Sequence, residues 1–389
     1  MSPLIEIILI LIVAKILGEL AERAGFPALI GEIGAGALLG PFILNIVTPG
    51  ETIEFFSDIG IIALLFISGA QINLQAFYKT GKAGAFTAVA GVAVPFVSGI
   101  TLGLLMGFQH IEALFLGIAL SITSIGISVR TLIDIRQLKS QVGMIIVSAA
   151  VIDDVIGIIL LALLTAVAGG ATGIESLIPT FIAMVIFLVA IFTIGKPVME
   201  WIFKKAQKAH THEMTYSAAI LIALVTAVLS NSAGLHYAIG AFIAGLLLGD
   251  HIRDDRMLFD SLIDFTFGFF VTIFFASIGL LFSPDGGEFM LPFIVILILV
   301  AFVTKIAGGM AGSFRFLHDL KKSFLVGLGL CPRGEIALVV VKISLLAGII
   351  AGNLFTAITV MIIASIFITP VLLTRGFALA GYVRDGRQS

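Results

Sequence analysis

AGFPALIGEIGAGALLGP, residues 24–41, returns 209 residues later as AGLHYAIGAFIAGLLLGD, residues 233–250. Gly25, Gly31, Gly36 and Gly40 fall on Gly234, Gly240, Gly245 and Gly249, with aliphatic residues matched between them. The same shift sets Phe66 on Phe275 and Ser68 on Ser277. The chain therefore contains itself twice, and the two copies should fold as related halves. Gly36-x-x-x-Gly40 and Gly245-x-x-x-Gly249 permit close helix packing, within the chain or across a dimer.

The composition says what those halves are made of. Of 389 residues, 59% are hydrophobic and 12% charged. Soluble domains have about 45–50% apolar and about 25% charged residues, so an ordinary soluble protein is excluded, as is a disordered one. A net charge of -2 with thinly spread basic residues gives no sign of nucleic acid binding. The single cysteine, Cys331, allows no intramolecular disulfide, and the six histidines do not cluster at metal-ligand spacing. No cofactor is expected. MSPLIEIILILIV at the start lacks a basic n-region and a small-residue cleavage site, so it is expected to remain as a first helix.

Apolar segments fall at 3–24, 27–44, 55–71, 82–106, 111–130, 140–168, 176–200, 214–232, 235–250, 260–283, 290–314, 322–347 and 352–378. A bilayer span takes about 20 such residues, so about thirteen transmembrane helices are predicted. Of the 22 Lys and Arg, only Lys15, Lys305, Arg333 and Lys342 lie more than four residues inside a segment. The other eighteen sit in or at the edges of the loops after odd-numbered segments, counting the C-terminal tail. Positive charge stays in the cytoplasm, which predicts a multi-pass plasma-membrane protein with its N-terminus outside and its C-terminus inside. Segments one to six pair with eight to thirteen, and the seventh links them. An odd linker between even halves turns the second copy over, giving two inverted six-helix repeats in an all-α polytopic membrane protein. Such symmetry suits a carrier with outward-open and inward-open states.

The shift also pairs two interruptions. Thr123 maps onto Pro332, so SITSIGIS (121–128) lies opposite CPRGEIAL (331–338). Polar or Pro/Gly breaks at matching positions point to broken crossing helices around a midplane site. Thr123, Ser124 and freed backbone oxygens could face an ion there, although Thr123, Ser124 and Ser128 could also back-bond to their own helix.

Ionisable residues sharpen the location. Asp153 and Asp154 sit mid-way along SQVGMIIVSAAVIDDVIGIILLALLTAVAGG (140–170), and Lys305 is central in segment eleven. A charged residue at the bilayer centre costs at least about 2.5–3.5 kcal/mol and usually lines a polar pathway. Lys305 is expected to partner one of the aspartates, leaving the other to a ligand. Among weaker candidates, Glu32 interrupts segment two, where it could tune pH response or pack laterally. Lys15 and Glu19, at i and i+4, are expected to pair. Arg333 and Glu335 flank Gly334 beside Pro332 and could hold the broken ends. Asp58 and Asp264, at segment starts, are expected to be N-caps.

IGEIGAGALLGP (30–41), the Asp153–Asp154 pair, Lys305 and PRGEIALVV (332–340) together resemble the monovalent cation/proton antiporters, specifically the second subfamily with the paired-aspartate motif. The resemblance covers essentially the whole chain. It implies a thirteen-helix homodimer in membrane lipid. Residues 1–81 and 214–289 would form a dimerisation domain, and 82–168 and 290–389, with a short cytoplasmic tail, the core. Residues 169–213 would be the linker helix. The resemblance makes Asp154 the main cation and proton carrier and pairs Asp153 with Lys305. Asn in place of the first aspartate and Arg in place of the lysine mark the electroneutral branch. This chain has neither, which implies electrogenic exchange of roughly two protons per cation. Many potassium-efflux relatives carry a nucleotide-binding domain; with the chain ending at Ser389, none is expected. The implied substrates are protons and a monovalent cation, sodium or lithium first and potassium as the alternative. A sodium-coupled organic-anion symporter is a less favoured reading and a channel a third. An enzyme is disfavoured, since no nucleophile–base set or phosphate loop is found.

Overall fold

The computed structural model describes residues 2–24, 26–72, 74–169, 177–209, 211, 213–280, 291–333, 337, 350 and 352–381; within these, the side chains of 76, 154, 155, 158, 159, 161–169, 177, 178, 180, 181 and 352 are not described. Those residues are all helix, turn or coil. In order they form α1 (Pro3–Arg23), α2 (Ala28–Leu39), α3 (Glu51–Gln71), α4 (Leu74–Leu105), α5 (His110–Ser121), α6 (Ile125–Asp134) and α7 (Gln141–Gly169). Then come α8 (Leu177–Ala190), a π-turn (Ile191–Gly195), α9 (Lys196–Gln207), α10 (Glu213–Ser232) and α11 (Tyr237–Asp254). After α12 (Arg256–Phe265) and a second π-turn (Thr266–Phe270) follow α13 (Val271–Leu280), α14 (Leu291–Leu317), α15 (Leu320–Gly329) and α16 (Gly352–Leu379). Among the described residues, eight helices are long and apolar enough to cross a membrane, counting α5–α6, α8–α9 and α12–α13 as one each. The 21-residue α1 carries Glu6, Lys15 and Glu19 within that length, which sets it apart from these eight.

The chain divides into two compact units. The first comprises residues 1–20, 31–78 and 175–281, the second 21–30, 79–174 and 282–389.

In the first unit α3 runs along α11, and both rest on backbone-to-backbone approach. A Cβ on Gly245 would fall 1.9 Å from the Phe66 carbonyl oxygen, and one on Gly36 would fall 1.8 Å from that of Ala276. A Cβ on Gly31 would fall 2.1 Å from the Leu17 carbonyl oxygen, and one on Gly240, its counterpart under the 209-residue shift, 2.2 Å from that of Thr226. Without an aqueous driving force between apolar helices, small residues that bring backbones together are the main source of association. Arg253 completes the unit: its guanidinium bonds the Ala70 carbonyl and, at 3.1 Å, that of Ile72, which end α3 without helical donors.

In the second unit α14 is pressed between α4 and α15. Gly308 and Gly312, one turn apart, lie against the Ala90 carbonyl and Thr87 Cα, where a Cβ would meet them at 2.5 Å. On another side a Cβ on Gly309 would fall 2.5 Å from Gly327 Cα. Pro95 inside α4 withdraws the N–H that would bond the Gly91 carbonyl.

Helix ends depart from expectation in a consistent way. Asp58 lies inside α3, which starts at Glu51, and Asp264 lies near the end of α12, so neither caps a helix. The aspartates that do cap are Asp255, accepting from the Leu258 N–H at 3.0 Å, and Asp319, accepting from those of Lys321 and Lys322 at 2.8 and 3.1 Å. Helices begin before their apolar stretch because the first polar turn still forms backbone hydrogen bonds beyond the hydrocarbon.

Gly245→Val should lower the unfolding temperature of the detergent-solubilised protein markedly, since overpacking costs about 1–3 kcal/mol even where side chains can yield. Gly34→Ala, with nothing within 4 Å of the added carbon, should leave it unchanged or raise it.

Candidate functional site

The site is built where two helices of the second unit stop. Helix α5 ends at Ser121; Ile122 and Ser124 are extended (φ -65°, ψ 136° and φ -95°, ψ 114°), and α6 starts at Ile125. After α15, Cys331–Arg333 are likewise non-helical. The Ser124 N–H donates to the Pro332 carbonyl at 2.8 Å, and the Ser128 hydroxyl donates to the Gly329 carbonyl at 2.6 Å. The breaks thus meet at Thr123–Ser124 and Pro332, the residues that the 209-residue shift aligns.

A helix C-terminus presents carbonyls without donors and a partial negative charge of about half an electron. Two such ends meet here, and two fully buried cations serve them. Lys305, from α14, donates to the Ser121 carbonyl at 2.7 Å. Arg333 donates to the carbonyls of Leu120 at 2.7 Å, Cys331 at 2.8 Å and Leu330 at 3.2 Å. Its own N–H donates to Ser365 Oγ of α16 at 2.9 Å.

The carboxylate follows from the same cation. Asp153, 2% exposed, accepts at Oδ2 from Lys305 Nζ at 2.9 Å and from the Thr123 hydroxyl at 2.5 Å. One oxygen so joins α7, α14 and the first break. Asp153 Oδ1 and Ser124 Oγ are buried and have no hydrogen-bond partner among the described residues. Gly91 leaves room beside the amine: a Cβ there would be 3.9 Å from Lys305 Nζ.

Of the residues singled out from sequence, Asp153, Lys305, Thr123, Ser124, Pro332 and Arg333 thus come together at the two breaks. Asp154 belongs to α7, but its side chain lies outside the described residues, as do Gly334 and Glu335 altogether. Glu32 is in the first unit, 2% exposed, accepting from the Thr272 hydroxyl at 3.0 Å, with Lys15 Nζ at 3.4 Å. Lys15, expected beside Glu19, also donates to the Phe267 carbonyl at 2.8 Å. Sequence reasoning did not single out Ser365 or Gly91. Ser365 could have been found as a hydroxyl in an apolar run; Gly91 carries no signal beyond Pro95 four residues on. No group of three or more His, Cys, Asp or Glu able to hold a metal ion occurs among the described residues.

A multi-pass helical membrane protein with a buried ion pair at two crossed helix breaks has the makings of an ion carrier. Residues 8–376 match the transmembrane sodium/hydrogen exchanger family. The chain is 33% identical over 372 residues to the probable Na⁺/H⁺ antiporter GerT of Bacillus cereus, covering 96% of this chain and 98% of that one. It is 32% identical, over 96% and 95% of the two chains, to the Na⁺/H⁺-K⁺ antiporter GerN of the same organism. Its fold matches that of the sodium proton antiporter MjNhaP1 from Methanocaldococcus jannaschii at pH 8 with a TM-score of 0.64, 17% identity and coverage of 96% and 95%. The chain belongs to the sodium/hydrogen exchanger family and is a monovalent cation/proton antiporter.

Lys305→Met strands a buried carboxylate and should cost about 3–5 kcal/mol, read as a fall in unfolding temperature. Adding Asp153→Asn should restore most of the loss, because the double variant holds no uncompensated charge.

Proposed function

We propose that the protein exchanges sodium or lithium for protons electrogenically by alternating access, with Asp154 carrying both ions in turn. The observation that carries this reading is the commitment of Asp153. Its Oδ2 is held by Lys305 and Thr123, so the neighbouring Asp154 is the carboxylate left for cargo. Adjacent helical residues point about 100° apart, which lets one aspartate serve the framework and the other the ion. The dehydrated cation would bind Asp154 with help from Thr123, Ser124 and backbone oxygens of the breaks. A proton arriving at the same carboxylate would displace it. Arg333, through its bonds to the carbonyls of both breaks, would hold the broken ends together with Glu335, and Pro332 and Gly334 would form the second break. Glu32 would support the first unit.

The wider architecture follows the same reading. Thirteen spans in two inverted repeats are supported by the matched glycine contacts, Gly31 on Leu17 against Gly240 on Thr226. Residues 82–168 and 290–389 would be the moving core; 1–81 and 214–289 would form the scaffold and homodimer contact, with 169–213 as linker. The core would travel relative to the scaffold as an elevator in the plasma membrane, N-terminus outside and C-terminus in the cytoplasm, serving pH homeostasis. Potassium is the second cation to test, since one relative is named for both ions.

In reconstituted vesicles, Asp154→Ala should abolish sodium/proton exchange; substantial residual exchange would remove Asp154 from its role. In the unaltered protein the apparent KM for sodium should rise as pH falls, because protons and cations compete. An imposed potential should change the rate, each net charge moved being worth about 2.3 kcal/mol per 100 mV. A rate indifferent to potential would make exchange electroneutral.

A further inference from the structure

The first unit has an apolar groove with no part in ion exchange. It is about 560 Å³ and lies between α10 and the helical stretch formed by the first π-turn and α9. Its floor is of small residues, Gly195, Ala206 and Ala218, and its rims are of aliphatic ones such as Ile202, Leu221 and Val225. The rims are exposed, at 38% to 59%. From Lys205 back to Ile191 it runs about 21 Å at 1.5 Å per residue. One leaflet of a roughly 30 Å hydrocarbon core is about 15 Å deep, so the groove is long enough for one acyl chain.

Its polar end carries a specific charge. Lys196 and Lys204 both pair with Glu200, each at 3.9 Å. Lys205 has no acidic partner among the described residues; its amine sits 4.1 Å from the centre of the Trp201 ring. Tryptophan favours the membrane–water interface, and basic residues there attract anionic headgroups.

We propose that this groove binds an anionic phospholipid, with one acyl chain between α9 and α10 and the phosphate at Lys205. Charge complementarity selects the occupant: an apolar groove that ends at a lysine without an acidic partner among the described residues matches an acyl chain joined to an anionic headgroup.

Trp201 is the only tryptophan in the protein and its ring lies against Lys205, so its fluorescence reports on lipid bound at this end of the groove. The full chain in mixed micelles is titrated with phosphatidylglycerol or phosphatidylcholine, each brominated on its acyl chains to quench tryptophan. Phosphatidylglycerol should reach half-quenching at about fivefold lower mole fraction, the effect of one lysine at a membrane surface. Lys205→Gln should remove that preference and Lys204→Gln should keep it. Ala218→Phe, which fills the floor, should weaken quenching by both lipids. In the unaltered protein, 0.5 M salt should also erase the preference, so the test survives if a variant does not fold. Equal quenching by the two lipids at low salt would overturn the proposal, as would a preference that persists in Lys205→Gln. Absence of quenching by either lipid would mean the groove is covered by a second copy, which also overturns it.

Discussion

Two helices that stop inside a membrane leave carbonyl groups with neither backbone donors nor water, and that constraint organises the second unit. An unsatisfied polar group there costs several kcal/mol. Lys305 and Arg333 supply the missing donors, and both are fully buried. Each brings a positive charge that would itself be prohibitive if unpaired. For Lys305 the remedy is Asp153; for Arg333 it is three carbonyls at the negative ends of α5 and α15. Lys305 reaches its helix end because α14 lies nearly in backbone contact with α4 and α15 through Gly308, Gly309 and Gly312. The glycines, the breaks and the buried charges are therefore one solution to one electrostatic problem.

A site balanced in this way is suited to exchange. Asp153 is fixed by a cation and a hydroxyl, and its position fixes α7, on which Asp154 follows. A further charge beside a neutralised framework needs a counter-ion, and a proton and a small cation are the two simplest. Serving both in turn is what antiport requires. The first unit is stiffened by different means, by backbone approach between α3 and α11 and by Arg253 at the end of α3.

The sequence displayed these features unevenly, for physical reasons. Lys305 and the aspartates were visible because charge in an apolar run has no structural default. The glycines were visible because close backbone approach tolerates no other residue, so the positions recur in both copies. The meeting of the breaks at Thr123–Ser124 and Pro332 was readable from the same shift. Which aspartate would face Lys305 was not readable from residues alone, because either orientation of α7 satisfies the pattern. Ser365 and Gly91 were equally hidden: one matters through a single backbone N–H, the other through the volume it leaves empty. Glu32 could be noticed but not explained, since its hydroxyl partner Thr272 lies 240 residues away. The caps were misassigned to Asp58 and Asp264 because hydropathy marks where lipid begins rather than where hydrogen bonding begins.

The sharing of one carboxylate between cation and proton is the central claim, and proton release on cation binding tests it most directly. Sodium is added to the purified protein in weakly buffered detergent solution, and the pH change is followed for the unaltered chain and for Asp154→Asn. Release by the former and none by the latter is expected. Equal release by both would contradict a shared site at Asp154, and so would sodium binding without release.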